Sequence, residues 1–481
     1  MDNNKIQKNL MLISLGCDKN LVDSEMMLGM LSEAGYRLVD DENEADVMVV
    51  NTCCFINDAK EESIQTLIDC GKLKSGSGRL KYLVAAGCLA QRYADEIREE
   101  LPEVDAIIGT TAFDKVVETV NGLYEADEND TKCDLMGKDS PATTGNDRTA
   151  GEQDNVSGEV FCKKLEPLDR LVSGRSRILS TGGYYAYLKI AEGCNKNCTY
   201  CIIPKIRGPY RSVPMETLIA EAKKLSDGGV KELILVAQET TIYGTDIYGH
   251  KALPELLEKL SNECDFNWIR ILYGYPEEID DELIEQIAVN KKVCHYLDLP
   301  IQHSADSVLK RMGRRTSHAD LANIIGKLRA RIPDIALRTT LITGFPGETE
   351  EDFEEMKAFV KEMRFDRLGV FAYSPEEGTA AERMADQIPE DVKTARRDEI
   401  MEIQQEIAFE KAEAMCGREI DCMVCGRIPE DNVLVCRSYM DAPDVDGYVF
   451  VDTDADIMSG AALKIRITGA KGYDLTGEIV E

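Results

Sequence analysis

The sequence has little positive charge and no long apolar run. Its 481 residues include 56 Lys and Arg against 88 Asp and Glu, a formal net charge of −32. Such a chain repels the phosphate backbone that dominates nucleic-acid affinity, and it attracts basic partners. No run reaches the roughly 18 apolar residues of a membrane span, and the polar opening Met1-Asp-Asn-Asn-Lys is not a signal peptide. We therefore expect a cytoplasmic protein that does not contact a membrane.

Cysteine, by contrast, is abundant, with sixteen residues in a chain long enough for about three domains. In a reducing compartment, clustered cysteines indicate metal binding or catalysis more often than disulfides. Three of them, Cys194, Cys198 and Cys201, follow the apolar run 184–191 and Gly193. Thiolates suit iron–sulfur clusters, and three ligands leave one iron of a four-iron cluster open to a chelating substrate.

Two other interpretations of these three cysteines remain. A zinc site would need a fourth Cys or His, and the next forty residues contain neither. The three thiols could instead be buried core residues, since free Cys is often buried.

The N-terminal region, 10–124, alternates short apolar runs with longer amphipathic ones. The predicted strands are 10–15, 47–50, 82–86 and 106–108, and the predicted helices are 20–34, 58–74, 90–101 and 112–123. This alternation predicts a parallel sheet with helices on both faces. In such sheets the functional site lies beyond the carboxyl ends of the strands.

Three further cysteines stand at those strand ends. Cys17, Cys53 and Cys88 each follow a predicted strand and precede a helix, so they converge on one edge of the sheet and suit a second cluster. Three unrelated core thiols are the alternative. Cys54 is the weaker ligand candidate of its pair because adjacent side chains diverge, and Cys70 lies inside a helix and is assigned to the core.

The composition changes at residues 125–176, which are acidic, rich in Gly and Thr, and nearly free of aromatics. Such a segment has too little apolar surface to offset its ordering entropy. We predict a disordered or loosely held linker. Cys133 and Cys162 within it are assigned no function, with a redox or regulatory role left open.

The remaining chain predicts two more folded regions. Six strands alternate with helices at 185–191, 231–237, 268–273, 296–299, 336–343 and 368–373. They predict a partial (β/α)6 barrel with its site at the C-terminal rim, followed by a helix over 390–415. Short strands over 417–481 predict a small β-barrel. Cys422 and Cys425 in it are assigned structural roles, because positions three apart on a strand face opposite sides.

Taken together, the chain resembles the methylthiotransferase family of radical S-adenosylmethionine (SAM) enzymes over nearly its whole length. The resemblance rests on the three-cysteine loop with Tyr200 before its last cysteine, and on the following stretches: Ser14-Leu-Gly-Cys17-Asp-Lys-Asn-Leu-Val-Asp-Ser24, Asn51-Thr-Cys53, Gly87-Cys88, Ala191-Glu-Gly-Cys194 and Thr343-Gly-Phe-Pro-Gly-Glu-Thr349. It implies an α/β multidomain protein with four parts: an N-terminal methylthiotransferase domain (8–124), the linker (125–176), a radical-SAM barrel (180–415) and a TRAM β-barrel (416–481).

The resemblance also implies two 4Fe–4S clusters, with SAM as both radical source and methyl donor. One cluster would lie on Cys194, Cys198 and Cys201 and cleave SAM with an electron from a donor such as flavodoxin or ferredoxin. The other, on Cys17, Cys53 and Cys88, would supply sulfur.

The candidate SAM-binding residues lie in the cysteine loop or near barrel strand ends. They are Tyr200, Gln238, Glu239, Gln302, His303, Arg338, Thr340 and Gly344, with Arg270 and Tyr273 as weaker candidates. Alternatively, Arg338 pairs with a carboxylate and His303 is a satisfied polar side chain. We expect no catalytic residue beyond the cluster ligands. Glu239 stands where the family pattern suggests Asp, and Cys54 where it suggests a small residue.

Within the family, the chain is most similar to the branch that methylthiolates an aspartate β-carbon of small-subunit ribosomal protein S-twelve. The similarity rests on Ala237-Gln-Glu-Thr-Thr-Ile-Tyr-Gly244, Tyr296-Leu-Asp-Leu-Pro-Ile-Gln-His303 and Arg437-Ser-Tyr-Met-Asp-Ala-Pro-Asp-Val-Asp-Gly447. Residues 417–481 contain thirteen Asp and Glu against six Lys and Arg. This charge suits a basic ribosomal protein and makes tRNA an unlikely partner, unless the charges merely solvate the surface. The alternatives are a tRNA adenosine methylthiotransferase and a non-catalytic iron–sulfur redox protein.

Overall fold

The computed structural model describes residues 8–75, 78–135, 159–160, 168 and 174–480. The chain divides into two compact units, Met1–Ile178 and Leu179–Glu481. In the described part of the chain, no helix is long and apolar enough to cross a membrane. Most of the predicted linker, with Cys162 and the side chain of Cys133, lies outside the described residues.

The first unit is built on a parallel sheet with the strand order β2-β1-β3-β4-β5-β6. Its strands are β1 (Asn9–Ser14), β2 (Arg37–Leu38), β3 (Val47–Thr52), β4 (Tyr82–Ala86), β5 (Ala106–Gly109) and β6 (Glu159–Val160). Every residue of β3 and β4 is buried, as expected of parallel strands that are covered on both faces. The predicted sheet is confirmed.

The helices of this unit differ from the prediction in their ends. They are α1 (Asp18–Glu33), α2 (Asn57–Lys74), α3 (Gly87–Arg92), α4 (Ala94–Glu100) and α5 (Val116–Leu135). The helix predicted over 90–101 is two helices, because Tyr93 leaves the helical region at φ −120° and ψ 39°. Cys88 lies in the first turn of α3. Helix α5 continues to Leu135, so it includes the first eleven residues of the predicted linker.

The predicted linker contacts other residues of the first unit at two places, one in its second half and one at its C-terminal end. Strand β6 pairs with Ile107 and Ile108 at the edge of the sheet. At the C-terminal end, Gly29 of α1 lies so close to Ser176 that a Cβ on Gly29 would approach the Ser176 carbonyl oxygen to 2.1 Å. The next residue, Arg177, forms a buried 2.7 Å ion pair with Glu25. Arg177 lies just after the predicted linker, and the disordered or loosely held state of 125–176 stays a prediction.

The second unit contains a six-stranded parallel sheet in the order β14-β13-β12-β11-β10-β7. Its strands are β7 (Tyr185–Lys189), β10 (Glu232–Val236), β11 (Trp268–Ile271), β12 (Val293–Asp298), β13 (Ala336–Thr343) and β14 (Arg367–Ala372), and the short β8 (Ala191–Glu192) and β9 (Arg211–Ser212) pair separately. The sheet does not close on itself among the described residues, so it is the predicted partial (β/α)6 barrel.

Helices alternate with these strands. They are α6 (Ile203–Ile206), α7 (Met215–Asp227), α8 (Leu253–Glu263), α9 (Asp281–Val289), α10 (Asp306–Arg311), α11 (His318–Arg331), α12 (Glu350–Met363) and α13 (Glu390–Glu413). Ser317 and Thr349 begin α11 and α12 with capping boxes, in which the cap hydroxyl and an Asp three residues later satisfy the free N–H groups of the first turn.

The C-terminal region forms the predicted small barrel, closed in the order β15-β16-β17-β19-β18. Its strands are β15 (Glu419–Ile428), β16 (Val433–Ser438), β17 (Val449–Asp452), β18 (Ala462–Lys471) and β19 (Asp474–Ile479). Cys422 and Cys436 lie in its core, whereas Cys425 is half-buried.

The end of β16 and the loop between β16 and β17 pack against the parallel sheet of the second unit. Arg437, only 1% exposed, forms a 2.5 Å ion pair with Glu232 at the start of β10. Asp441 is 2% exposed and the side chain of Asp446 is 2% exposed, and both face arginines of the sheet. These charges belong to an internal interface, so the acidic surface of the barrel is smaller than the sequence count implies.

Candidate active site

In the first unit, the three strand-end cysteines gather at one edge of the sheet. Cys17 caps the N-terminus of α1 in extended conformation, and Cys53 and Cys88 are each 6% exposed. Gly16, at φ +90°, lies directly over Cys53, and a Cβ there would approach Cys53 Sγ to 2.8 Å. The turn that carries Cys17 therefore packs against Cys53, and only glycine fits between them.

Asn20 ties the three cysteine turns together, a role that the sequence analysis missed. It is fully buried, and its Nδ2 donates to the carbonyl oxygens of Leu15 at 3.1 Å and Thr52 at 3.0 Å. Its Oδ1 lies 3.9 Å from Cys88 Sγ. In the sequence, only the position of Asn20 three residues after Cys17 could have indicated this role.

We expect Asn20→Ala to lower the free energy of unfolding of the first unit by about 2 kcal/mol, because one buried and one partly buried carbonyl group lose their donor. Denaturant unfolding measures this loss, and the iron content of reconstituted protein should fall with it. Asn43→Ala is the matched control, since Asn43 is exposed and bonds only locally to Asp41. Equal stability of the two variants would contradict the role of Asn20.

In the second unit, the loop Cys194–Cys201 begins at the carboxyl end of the first barrel strand. Cys194 and Cys198 are each 7% exposed, and Cys201 is half-buried. Gly193, at φ +80°, packs on the next turn, where a Cβ would approach the Pro209 carbonyl oxygen to 2.2 Å. Burial raises the pKa of Cys194 to about 11 and that of Cys201 to about 12, so these thiols ionise at neutral pH only with metal bound.

Gln238, a predicted SAM contact, instead holds the cysteine loop. Its Oε1 accepts the Gly193 N–H at 2.9 Å, and its Nε2 donates to Glu192 Oε1 at 2.8 Å. Glu192 also forms buried ion pairs with Lys189 and Arg207. Gln238 is thus a positioning residue for the loop.

Glu239 and Lys196 meet beside the cysteine loop. Lys196, between Cys194 and Cys198 in the chain, places its Nζ 3.3 Å from Glu239 Oε1 and 2.5 Å from Glu278. Glu239 is fully buried, and its burial raises the pKa of the carboxyl to about 7, against the opposing effect of Lys196. Lys196 is a further residue missed from the sequence, although it lies inside the cysteine motif.

Among the residues that the structure describes, Glu239 Oε2 is buried without a hydrogen-bond partner. A buried carboxylate oxygen left in this state is costly. An ammonium or hydroxyl donor of a ligand beside the cysteine loop would satisfy it. The donor set therefore fits SAM, which carries both kinds of group.

An aromatic and cationic layer lies against the same loop. Tyr200 packs edge-on to Phe345 at 6.3 Å between ring centroids, and Tyr275 OH lies 4.0 Å from Cys198 Sγ. The Arg314 guanidinium stacks 4.4 Å from the Tyr275 ring centroid. Tyr275 and Arg314 come from segments far from the cysteines in the sequence, and no local motif marks them.

Gln302, four residues after the end of β12, meets Thr340 within the second half of β13. Gln302 has φ +70°, a strained conformation for a non-glycine residue. Its N–H donates to the Thr340 carbonyl at 2.8 Å, and its own carbonyl accepts from Ile342 at 2.7 Å. The next residue, His303, is fully buried. Its Nδ1 accepts the Ala305 N–H, whereas its Nε2 lies 3.4 Å from Glu348 and has no hydrogen-bond partner among the described residues. The alternative of a satisfied polar side chain therefore holds for Nδ1 only.

Arg338 and Gly344 are engaged elsewhere. Arg338 faces Asp298 at 3.2 Å and Asp446 at 3.6 Å, so it pairs with carboxylates, as the alternative proposed. Gly344, at φ +68°, packs on Lys393, and its N–H donates to Glu348. Of the weaker candidates, Arg270 forms a buried 2.7 Å ion pair with Glu232 at the start of β10, away from the cysteine loop.

Within the described part of the chain, no three His, Cys, Asp or Glu side chains are grouped to hold a single metal ion. Thiols that bind separate irons of a cubane stand farther apart than the ligands of one ion.

Three family descriptions match successive parts of the chain. "Uncharacterized protein family UPF0004" matches residues 9–109, "Radical SAM superfamily" matches 188–360, and "TRAM domain" matches 416–480. A solved radical SAM methyltransferase, TsrM from Kitasatospora setae, is similar in fold, with a TM-score of 0.52 at 14% identity over 76% of this chain and 73% of that one. The fold and the cysteine loop thus define a radical SAM enzyme with a TRAM domain.

Full-length relatives show which family of radical SAM enzymes the chain belongs to. "Ribosomal protein uS12 methylthiotransferase RimO" of Lachnoclostridium phytofermentans is 56% identical over 97% of this chain and 99% of its own length. The protein of the same name from Thermoanaerobacter sp. is 47% identical over 98% of this chain and 100% of its own. The chain belongs to the RimO family of radical SAM methylthiotransferases, and its cofactors are SAM and 4Fe–4S clusters.

Proposed function

We propose that this chain methylthiolates the β-carbon of an aspartate in ribosomal protein uS12. The observation that carries the proposal is the pair of three-cysteine sites at the carboxyl ends of two parallel sheets in one chain that is 56% identical to a uS12 methylthiotransferase. An unactivated C–H bond gives no readily removed proton, so radical chemistry suits this substrate.

Six cysteines hold the clusters in this proposal. Cys194, Cys198 and Cys201 bind the one at the SAM site, and Cys17, Cys53 and Cys88 bind the auxiliary one. When bound, SAM and the clusters supply a carbon-centred radical, a sulfur atom and a methyl group. The corresponding domains are the N-terminal domain 8–124, the linker 125–176, the barrel 180–415 and the TRAM barrel 416–481.

The chain's own residues orient SAM and exclude water. Glu239 accepts a hydrogen bond from the SAM ammonium or ribose hydroxyls through its unpartnered Oε2, and Gln238 fixes the cysteine loop. Tyr200, Gln302 and Thr340 are further proposed SAM contacts. We do not include Arg338 and Gly344 among the SAM contacts, because Arg338 is paired with Asp298 and Gly344 packs against Lys393. The buried setting strengthens each polar contact.

A basic protein substrate agrees with the charge of the chain, since the net charge of −32 opposes binding to a phosphate backbone. We place the enzyme in the cytoplasm, where its ribosomal substrate is made, and we expect a flavodoxin or ferredoxin as its electron donor.

Anaerobic turnover tests the substrate. Cluster-reconstituted protein, SAM and a chemical reductant are incubated with uS12 and, in parallel, with unmodified tRNA, and mass spectrometry follows both. We expect a methylthio group on an Asp of uS12 and none on the tRNA. Modification of the tRNA alone would overturn the proposed substrate while leaving the two-cluster chemistry in place.

A further inference from the structure

A chain of polar contacts leads from the C-terminal barrel to the cysteine-loop end of the parallel sheet. It starts at Asp446, in the loop between β16 and β17. The Asp446 side chain is 2% exposed, and its Oδ2 accepts from Tyr296 OH and from the Ala442 N–H, both at 2.9 Å. Its Oδ1 lies 3.6 Å from Arg338 Nε. The loop thus presents a fixed carboxylate to Arg338.

Arg338, on β13, also contacts Asp298 at the end of the neighbouring strand β12. Its Nη1 lies 3.2 Å from Oδ1 of Asp298, the last residue of β12. Asp298 is 1% exposed, and burial raises the pKa of its carboxyl although Arg338 opposes this effect. Because a buried carboxylate without a cation tends to take up a proton or to reorient, Arg338 opposes protonation of Asp298 and holds its side chain in place.

Asp298 in turn holds a strained turn. Its Oδ2 accepts the Tyr273 N–H at 3.1 Å, and Tyr273 has φ +61°, a conformation that non-glycine residues rarely adopt. The Tyr273 carbonyl then accepts from Thr240, at 3.1 Å from its N–H and 3.2 Å from its Oγ1. Thr240 directly follows Glu239.

A second contact joins the turn after β11 to the segment that carries Glu239. Thr241 Oγ1 accepts the Tyr275 N–H at 3.2 Å and lies 3.4 Å from Glu239 Oε1. The turn after β11 and the segment that carries Glu239 are therefore joined at two points, and Asp298 holds one of these turns directly.

We propose that Asp298 is a positioning residue of the SAM site, and that Arg338 and Asp446 extend this role to the C-terminal barrel. The proposal rests on the proposed contact between Glu239 and SAM. It assigns the C-terminal barrel a part in forming the SAM site, in addition to any contact with the substrate protein. Arg338 acts here through Asp298 and does not touch SAM.

The test uses full-length, reconstituted protein and measures 5′-deoxyadenosine formation without a protein substrate. We expect Arg338→Ala to raise the KM for SAM about tenfold and Asp446→Asn about threefold, with kcat changed less than about twofold. Arg338→Lys should recover part of the loss, because it retains the positive charge beside Asp298.

Asp444→Asn is the matched control. Asp444 lies in the same loop, but its Oδ2 accepts from Tyr185 OH, on β7 and outside the chain of contacts. We expect it to keep the parental KM. The single tryptophan, Trp268 on β11, reports the thermal unfolding of the barrel in every variant.

Three outcomes overturn the proposal. A raised KM in Arg338→Ala with a parental KM in Asp446→Asn would assign Arg338 to direct SAM binding. An equal rise of the KM for SAM in Asp444→Asn would show that any disturbance of the loop weakens SAM binding, whichever contact is lost. A parental KM in folded Arg338→Ala would show that the chain of contacts does not affect the SAM site. Glu239→Gln tests the proposed contact between Glu239 and SAM independently of the chain of contacts. If this variant keeps the parental KM for SAM, Glu239 does not contact SAM. The identity of the protein substrate does not affect this assay.

Discussion

Replacement of Cys198 by Ala abolishes both 5′-deoxyadenosine formation and methylthiolated product. The site loop then offers two thiolates, and the cluster at the SAM site is not retained. Cys198 is 7% exposed, and its Sγ lies 4.0 Å from Tyr275 OH, so solvent does not easily supply a substitute ligand. Iron per reconstituted chain should fall from about eight to about four. Chromatography of the nucleoside and iron analysis measure the two effects.

Cys264→Ala is the control for this variant. Cys264 is also a buried thiol of the second unit, but it follows α8 and belongs to neither cysteine set. We expect parental iron content and rates from it. SAM cleavage at the parental rate in Cys198→Ala would show that Cys198 is not a ligand.

Replacement of Cys53 by Ala separates the two halves of the reaction. The loop at the SAM site is untouched, so 5′-deoxyadenosine still forms, whereas methylthiolation of uS12 is lost because the auxiliary cluster has only two ligands left. We expect product to fall by more than about a hundredfold, since residues that act as a unit fail together. Mass spectrometry of uS12 and nucleoside analysis on the same sample give both quantities.

The neighbouring cysteine provides a close control. Cys54 is fully buried and has the same side chain one position away, so Cys54→Ala tests loss of a buried thiol without loss of the proposed ligand. We expect it to retain methylthiolation. If Cys54→Ala loses the product while Cys53→Ala keeps it, the ligand assignment at this strand end is reversed.

Much of the fold follows from local pattern. The continuous apolar run of β3 and the alternation of runs with amphipathic helices predicted a parallel sheet, and its strand ends placed Cys17, Cys53 and Cys88 on one edge. Short strands with intervening turns predicted the C-terminal barrel. Helix ends were less certain: the break at Tyr93 and the extension of α5 to Leu135 depend on packing that periodicity does not encode.

The sequence could not predict which polar residues pair with one another around the site. Arg338 looked like a SAM contact because it stands on a barrel strand, but Asp446, 108 positions later, shares it with Asp298. Arg437 and Glu232 are 205 positions apart and meet in a buried ion pair. Residue type shows that such groups need partners when buried, but the partner is set by the register of strands that the fold brings together.

The sequence by itself determined the class of chemistry and the order of the folded regions. Cysteine spacing and strand-end placement are local properties, and thiolate chemistry requires little more than those. The tertiary structure decided which side chains serve the site: Asn20, Lys196 and Tyr275 were added, and Arg338 and Gly344 were reassigned. The reason is that hydrogen bonds act over about 3 Å, and such distances between residues remote in the chain exist only after folding.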